Sequence, residues 1–250
     1  MYSAYLPQKP LFKLSDSLCI SILKSAINST FNDAKKKLFQ SMINVLLFEK
    51  ENGGTNDFAV GVEKFEYVWE RLIDYVYGEN TKDKFLPHAK WTILNNGTCE
   101  YCCALEPDTI MKHDNKYYVL DAKYYKYGIT KNIQHLPQTS SIQKQITYGK
   151  HILENKSISK NELISKNDVY NAFLLPYNGG DSENYKAIGI GTVDWEQYNY
   201  ETPNCAYVLG VLVDTKTLIT SYKKHNQREI EKLAKLIDSS VLMFRDSVQL

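Results

Sequence analysis

Residues 105–125 read LEPDTIMKHDNKYYVLDAKYY, and this stretch predicts two strands joined by a tight turn. The segments 109–111 and 117–120 are rich in β-branched and aromatic residues, which favour strands. Asp114 and Asn115 lie between them, and both residue types tolerate the left-handed backbone of a two-residue hairpin loop. The stretch therefore predicts a β-hairpin closed by these two residues.

The register of this hairpin brings two acids together. If His113 lies opposite Lys116, then Asp108 lies opposite Asp121, and Lys123 points to the same face of the sheet as Asp121. Two carboxylates side by side repel each other unless a positive charge lies between them. Hard oxygen ligands from two strands, with room for water and phosphate, predict a Mg²⁺ site for phosphoryl chemistry.

The composition is that of a soluble globular protein with one large or two small domains. The chain has 250 residues, of which 43% are hydrophobic and 24% are charged, and its net charge is +1. Residues 109–166 nevertheless contain ten lysines and four acids. This surplus indicates either one positive face or a lysine-coated solvent surface.

The cysteines and histidines argue against several other classes of protein. Five cysteines, an odd number that includes the adjacent pair Cys102-Cys103, do not form a secreted disulfide framework. The spacing from Cys99 to Cys102 is that of a zinc half-site, but no second pair of ligands follows. The five histidines show no triad pattern. No apolar run approaches about 18 residues, so we expect a cytoplasmic protein with no membrane contact.

Hydrophobic periodicity predicts an α/β fold with a mixed central sheet flanked by helices. The predicted helices are 15–29, 34–46, 62–77, 140–153 and 228–248, with a turn or helix at 214–222. Outside the hairpin, the predicted strands are 88–94, 169–176, 187–193 and 207–213. We expect an N-terminal helical subregion at 1–57 that is continuous with a domain at 58–250.

Two of the predicted helices carry polar residues that the core does not require. Glu66 and Glu70 border the apolar stripe of the helix at 62–77, where they either face solvent or lean toward a buried site. Gln145 and Tyr148 lie on the polar flanks of the helix at 140–153.

Pro107-Asp108, followed after twelve residues by Asp121-Ala122-Lys123, resembles the PD-(D/E)xK nuclease superfamily. The upstream helix with glutamates and the downstream helix with Gln145 and Tyr148 match the order of parts in that superfamily. The resemblance implies the restriction-endonuclease-like PD-(D/E)xK core.

More narrowly, the chain resembles the LlaJI-type restriction endonucleases across residues 58–222. Phe65-Glu66-x-x-Trp69-Glu70, Leu120-Asp121-Ala122-Lys123-Tyr124-Tyr125 and Lys144-Gln145-x-x-Tyr148 carry this resemblance. Such nuclease subunits act beside a McrB-like AAA+ GTPase and are distantly related to McrC. The resemblance therefore implies a type II-like restriction deoxyribonuclease that cuts double-stranded DNA in a restriction-modification system.

The resemblance also implies roles for the residues of the hairpin. Asp108 and Asp121 would hold Mg²⁺, or Mn²⁺ as an alternative, with the backbone carbonyl of Ala122 as the third protein ligand. Lys123 would position the attacking hydroxide and stabilise developing negative charge.

The flanking helices would complete the site. Glu70 or Glu66 would hold a second metal or its water shell, and Gln145 and Tyr148 would orient the scissile phosphate or support Lys123. Lysines are the candidates for contacts with the DNA backbone. We predict such contacts, together with Tyr148, for Lys112, Lys116, Lys126, Lys131, Lys144 and Lys150.

Other interpretations of the same residues remain open. Asp108 could close a turn, and Asp121 with Lys123 could form a surface ion pair. The chain could be a self-sufficient repair or junction nuclease of the same fold, or a non-catalytic DNA-binding assembly module. Because cutting both DNA strands requires two active sites, a homodimer or a second complex is expected.

Overall fold

The computed structural model describes residues 15–51, 64–80, 82–155, 164–180 and 183–248. The chain divides into two compact units, Met1–Gly61 and Val62–Leu250. The boundary predicted between residues 57 and 58 lies outside the described residues, as does Val62, the predicted first residue of the third helix.

The first unit contains two helices, α1 (Asp16–Ser29) and α2 (Asp33–Glu51), among its described residues. The Ser15 hydroxyl accepts a hydrogen bond from the Leu18 N–H at 3.4 Å, as expected for an N-cap. Asn32 Oδ1 accepts one from the Lys35 N–H at 3.1 Å. Both predicted helices are confirmed; α2 begins one residue earlier and ends five residues later than predicted.

The described part of the second unit is a five-stranded mixed sheet with helices on both faces and a separate two-stranded ribbon. Its helices are α3 (Phe65–Tyr77), α4 (Tyr127–Thr130), α5 (Thr139–Glu154), α6 (Thr215–Thr220) and α7 (Gln227–Val248). The ribbon is formed by β1 (Lys90–Thr92) and β2 (Cys99–Tyr101). The sheet consists of β3 (Thr109–His113), β4 (Lys116–Ala122), β5 (Val169–Tyr177), β6 (Tyr185–Gly191) and β7 (Val208–Asp214). The predicted mixed α/β architecture is confirmed.

The strand order in the sheet is β3-β4-β5-β7-β6, with β4, β5 and β7 parallel and the two edge strands antiparallel to their neighbours. His113 pairs with Lys116 and Thr109 with Leu120, which is the predicted hairpin register. Asp114 has a φ of 52°, the left-handed conformation that this turn requires. The carboxyl ends of the parallel strands β4, β5 and β7 therefore share one edge of the sheet.

The core has one layer of side chains on each face of the sheet. On one face, α3 and α7 pack against β4, β5 and β7, and the buried Trp69 donates a hydrogen bond from Nε1 to Leu174 O at 3.0 Å. On the other face, α5 packs through Ile146 and Ile152. Helices α3 and α5 both contact β4, from opposite faces of the sheet.

The short elements that were not predicted include β2 and α4. All three residues of β2 are exposed, so Cys99–Tyr101 lack the alternation of a half-buried strand. Helix α4 is a single turn of four residues, which is too short to show helical periodicity. Within the described ranges, no helix combines the length and the apolar composition needed to cross a bilayer.

Candidate active site

The candidate site lies at the open end of the β3–β4 hairpin. Asp108 immediately precedes β3, Asp121 is the penultimate residue of β4, and the hairpin register brings the two acids together. The Ala122 N–H donates a hydrogen bond to Asp108 Oδ2 at 2.8 Å, which fixes the first carboxylate against the end of β4. Asp121 is buried, with 5% of its surface exposed.

The carboxylates of Asp108 and Asp121 carry more negative charge than Lys123 alone can neutralise. Burial and the charge of Asp121 raise the pKa of Asp108 to about 6, although the Ala122 hydrogen bond and Lys123 oppose the shift. Burial alone would lower the pKa of Lys123, but its ion pair with Asp121 outweighs burial and raises it. Lys123 is therefore protonated at neutral pH, and two acids compete for one cation.

One oxygen of the pair is poorly satisfied. Lys123 Nζ contacts Asp121 Oδ2, but no described residue donates a well-aligned hydrogen bond to this buried oxygen. Among the described residues, no three His, Cys, Asp or Glu side chains are grouped closely enough to hold a metal ion by themselves. A cation here would therefore need oxygen donors beyond the side chains, such as backbone carbonyl, water or phosphate.

Helix α3 brings one of its two predicted glutamates to the site. Glu70 is partly buried, and its charge contributes to the raised pKa of Asp108. Glu66 lies one turn earlier and is exposed. Of these two glutamates, the structure brings Glu70 next to Asp108.

Glu70 and Asp108 also line a cleft of about 840 Å³. The same cleft contains two cations, Arg71 and Lys224, and two aromatic rings, Tyr75 and Tyr222. Its lining also includes three further acids: Asp74, Glu79 and Glu106. Sequence reasoning assigned no role to these residues. Asp74 continues the acidic spacing of α3, but Tyr222 and Lys224 follow α6 and carry no sequence signal that links them to Asp108.

Helix α5 supports the site from the other face of the sheet. Gln145 and Tyr148 are both buried, so their predicted position on polar flanks is wrong. Gln145 Nε2 donates a hydrogen bond to Val119 O at 2.7 Å, and the Tyr148 hydroxyl donates one to Glu106 O at 2.8 Å. They therefore hold the backbone just before Asp121 and just before Asp108, respectively.

The charges of the carboxylate pair also affect the pKa of Tyr148. Burial raises its pKa, Lys144 opposes this rise, and the charges of Asp121 and Asp108 add to it. The Lys144 ammonium lies 5.5 Å from the centroid of the Tyr148 ring. The exposed Lys144 is thereby linked to the site through a buried ring.

Two further predicted lysines lie at the same edge of the sheet. Lys126 is exposed and precedes α4, and Lys131 ends that helix in a left-handed conformation with a φ of 54°. Lys131 Nζ lies 5.9 Å from the ring centroid of Tyr177, at the carboxyl end of β5. Lys126, Lys131 and Lys144 are called the edge lysines below.

The other three predicted lysines have different surroundings. Lys116 bonds to Asp238, and Lys150 forms an ion pair with Glu196. Lys112 lies 5.1 Å from the centroid of the Tyr117 ring. Lys116 is five residues before Asp121 on one strand, roughly 17 Å away, so it cannot contact the same phosphate as Lys123.

Comparison with known proteins identifies the family of the chain. The family model described as LlaJI restriction endonuclease matches residues 11–216, more than four fifths of the chain. No curated protein gives a match. The matched range includes the hairpin, the glutamate of α3 and helix α5. The chain therefore belongs to the LlaJI restriction endonuclease family, and it is a nuclease whose substrate is DNA.

Proposed function

We propose that this chain is the Mg²⁺-dependent nuclease subunit of a restriction-modification system and cuts double-stranded DNA with a McrB-like AAA+ GTPase. The observation that carries the proposal is the meeting of Asp108, Asp121 and Lys123 at the open end of one hairpin. This is the arrangement expected of the PD-(D/E)xK type.

The residues present fit a hard divalent cation. Asp121 Oδ2 is buried without a well-aligned hydrogen bond, and Asp108 is held next to a second acid. A cation between them would relieve the repulsion. Asp108, Asp121 and the Ala122 carbonyl would hold Mg²⁺ or Mn²⁺, and Glu70 would hold its water shell or a second ion. When bound, such an ion polarises the phosphodiester and makes a bound water more acidic.

Lys123 would supply the positive charge for the reacting phosphate. It is protonated, partly buried and pointed toward the carboxylate pair, so it can stabilise the charge that develops as water attacks in line. The leaving group would be the 3′-oxygen. Gln145 and Tyr148 would act as positioning residues, because their hydrogen bonds hold the strand segments that carry the two acids.

The edge lysines are the proposed contacts with DNA phosphates. Lys126 and Lys131 flank α4, which follows β4, and Lys144 of α5 is linked to the site through the Tyr148 ring. Phosphate contacts supply affinity without reading sequence. Lys116 and Lys150 are engaged by Asp238 and Glu196 and are weaker candidates. Lys112 is also a weaker candidate, because it pairs with Tyr117 near the turn end of the hairpin.

The family and the resemblance together support the biological setting. A type II-like restriction enzyme must cut both strands, which requires two nuclease sites. We therefore propose a homodimer or a complex with two copies. The five cysteines are all free, which supports a cytoplasmic enzyme.

The test is a plasmid cleavage assay with Mg²⁺, with and without the GTPase partner and GTP. The proposal predicts cleavage only when partner and GTP are present, and no cleavage by Asp121→Ala or Lys123→Ala chains that remain folded. Strong cleavage by the chain alone would favour a self-sufficient repair or junction nuclease. Binding without cleavage under every condition would favour a non-catalytic assembly module.

A further inference from the structure

The cleft beside Asp108 has an aromatic wall that the proposed cation site does not use. Tyr75 of α3 and Tyr222, which follows α6, stack with ring centroids 4.4 Å apart and ring planes 16° apart. Tyr222 is 54% exposed and Tyr75 is 38% exposed. A flat aromatic surface open to water in a polar cleft is suited to stacking with a nucleobase.

This aromatic pair is held firmly relative to α3. The His225 N–H donates to Tyr75 O at 3.0 Å, and the Asn226 N–H donates to Val76 O at 2.8 Å. Glu70 and Tyr75 are five residues apart on one helix, about 7.5 Å along its axis, or roughly two nucleotide rises of a DNA strand. The separation between the ring pair and the carboxylate site is therefore set by the folded helix.

Two cations lie beside the rings. Arg71 is one helical turn before Tyr75, on the same face of α3, and Lys224 is two residues after Tyr222. Both side chains are exposed and line the cleft. Aromatic rings combined with positive charges are typical of grooves that bind an unpaired nucleic acid strand.

The acids of the cleft set a condition on such binding. Asp74 accepts a hydrogen bond from the Thr109 hydroxyl at 3.2 Å, and Glu79 lies 3.8 Å from His225 Nε2. Glu70, Glu106 and Asp108 complete the acidic lining. These charges repel phosphates, so a DNA strand should enter only when a divalent cation occupies the Asp108–Asp121 pair.

We propose that this cleft holds the DNA strand next to the scissile bond, with one base stacked on Tyr222 and its phosphates between Arg71 and Lys224. The inference rests on the proposed function, because the strand is placed by the carboxylate site. It adds an unstacked base within about three nucleotides of the cut. Taking that base out of the duplex requires local unpairing, which is easiest in a flexible or frayed sequence.

The test uses the full chain with Ca²⁺ and duplexes that carry 2-aminopurine at single positions across a mapped cut site. Where no cut site is found, the same series is run as single strands. We expect one position near the cut to fluoresce less in the complex with the unmodified chain than in the complex with the Tyr222→Ala chain, because the Tyr222 ring stacks on the extruded base and quenches it. Tyr222→Ala should remove the quenching and weaken DNA binding about tenfold, while Tyr222→Phe retains both. Tyr67→Ala is the matched control, because Tyr67 is an exposed tyrosine of α3 outside the cleft.

The outcomes separate this inference from the proposed function. Thermal melting first establishes that the Tyr222→Ala chain is folded. If that chain quenches and binds DNA as the Tyr67→Ala chain does, the inference is overturned. Equal quenching in EDTA also overturns it, because the strand would then not lie against the acids. If the Tyr222→Ala chain quenches normally but its DNA cleavage is no longer stimulated by the GTPase, the cleft holds a partner protein. That result also overturns the inference. Quenching by a chain that never cuts DNA would refute the proposed function and support the strand site.

Discussion

The two ends of the β3–β4 hairpin each bring a lysine against an aspartate, and they differ in how well the acid is satisfied. At the turn end, Asp238 of α7 accepts one hydrogen bond from Lys116 Nζ at 2.6 Å and another from the Tyr118 hydroxyl at 2.9 Å. Both oxygens of that carboxylate are occupied. Such a pair links β4 to α7, and each oxygen of the acid has a hydrogen-bond donor.

At the open end, Lys123 faces the buried Asp121 and the partly buried Asp108, and Glu70 adds a third negative charge nearby. One oxygen of Asp121 lacks a well-aligned donor among the described residues. The comparison indicates that a lysine–aspartate pair alone does not mark a functional site. An excess of acid over base, held in place by the backbone, distinguishes the open end.

The largest expected difference between the two ends is in catalysis. Asp121→Asn should reduce DNA cleavage at least about 10³-fold, because a charged ligand of the proposed cation is lost. Its free energy of unfolding should change by less than about 1 kcal/mol, since the repulsion with Asp108 is relieved. The measurements are plasmid cleavage with the partner present and urea unfolding. Asp238→Asn is the control and should retain cleavage. If both variants lost cleavage equally, the two ends of the hairpin would not differ in catalysis.

Divalent cations should stabilise the protein through the open end only. At a Mg²⁺ concentration about one hundred times the dissociation constant, binding should add about 2.7 kcal/mol to the free energy of unfolding. Thermal melting with and without Mg²⁺ measures this gain. Asp108→Asn and Asp121→Asn should lose it, and Asp238→Ala should retain it. A gain that persists in Asp121→Asn would place the cation elsewhere.

The turn end should matter for stability instead. Asp238→Ala should lower the free energy of unfolding by about 1–3 kcal/mol, because the Tyr118 hydroxyl and Lys116 lose their partner. Urea unfolding at neutral pH measures the loss. Unchanged stability would mean that this pair is as dispensable as an exposed ion pair.

The Asp238→Ala variant should also change how the free energy of unfolding falls at alkaline pH. Burial lowers the pKa of Lys116, but the Asp238 hydrogen bond more than offsets this, while burial and Asp238 both raise the pKa of Tyr118. The folded chain therefore keeps protons that the unfolded chain releases above about pH 10. The stabilisation is complete below that pH and is lost as pH rises. Asp238→Ala should flatten this fall.

The hairpin could be predicted from sequence because its determinants are local. A two-residue turn at Asp114-Asn115 fixes every pair in the β3–β4 register, so the proximity of Asp108 and Asp121 followed from counting. The choice between Glu66 and Glu70 could not be made in this way. It depends on how α3 packs across the end of the sheet, which is a tertiary contact.

The partners of the lysines also could not be predicted from the sequence. Lys116 resembles a DNA contact in a lysine-rich segment, yet its partner Asp238 is 122 residues away in the chain. The polar side chain of Gln145 predicts a position on the polar flank of its helix, whereas its hydrogen bond to Val119 O allows it to be buried. In both cases the deciding group lies on an element distant in sequence.

The smallest expected difference concerns DNA binding by lysines at the two ends. Lys144→Gln should weaken DNA binding a few-fold and reduce the slope of log affinity against log salt by about 0.9, because one phosphate contact is lost. Lys116→Gln should leave that slope unchanged, since Lys116 is held by Asp238 away from the open end. Fluorescence anisotropy over a series of salt concentrations measures both. If Lys116→Gln changed the slope as much as Lys144→Gln, the DNA would extend along the whole hairpin, and the turn end would be part of the binding surface.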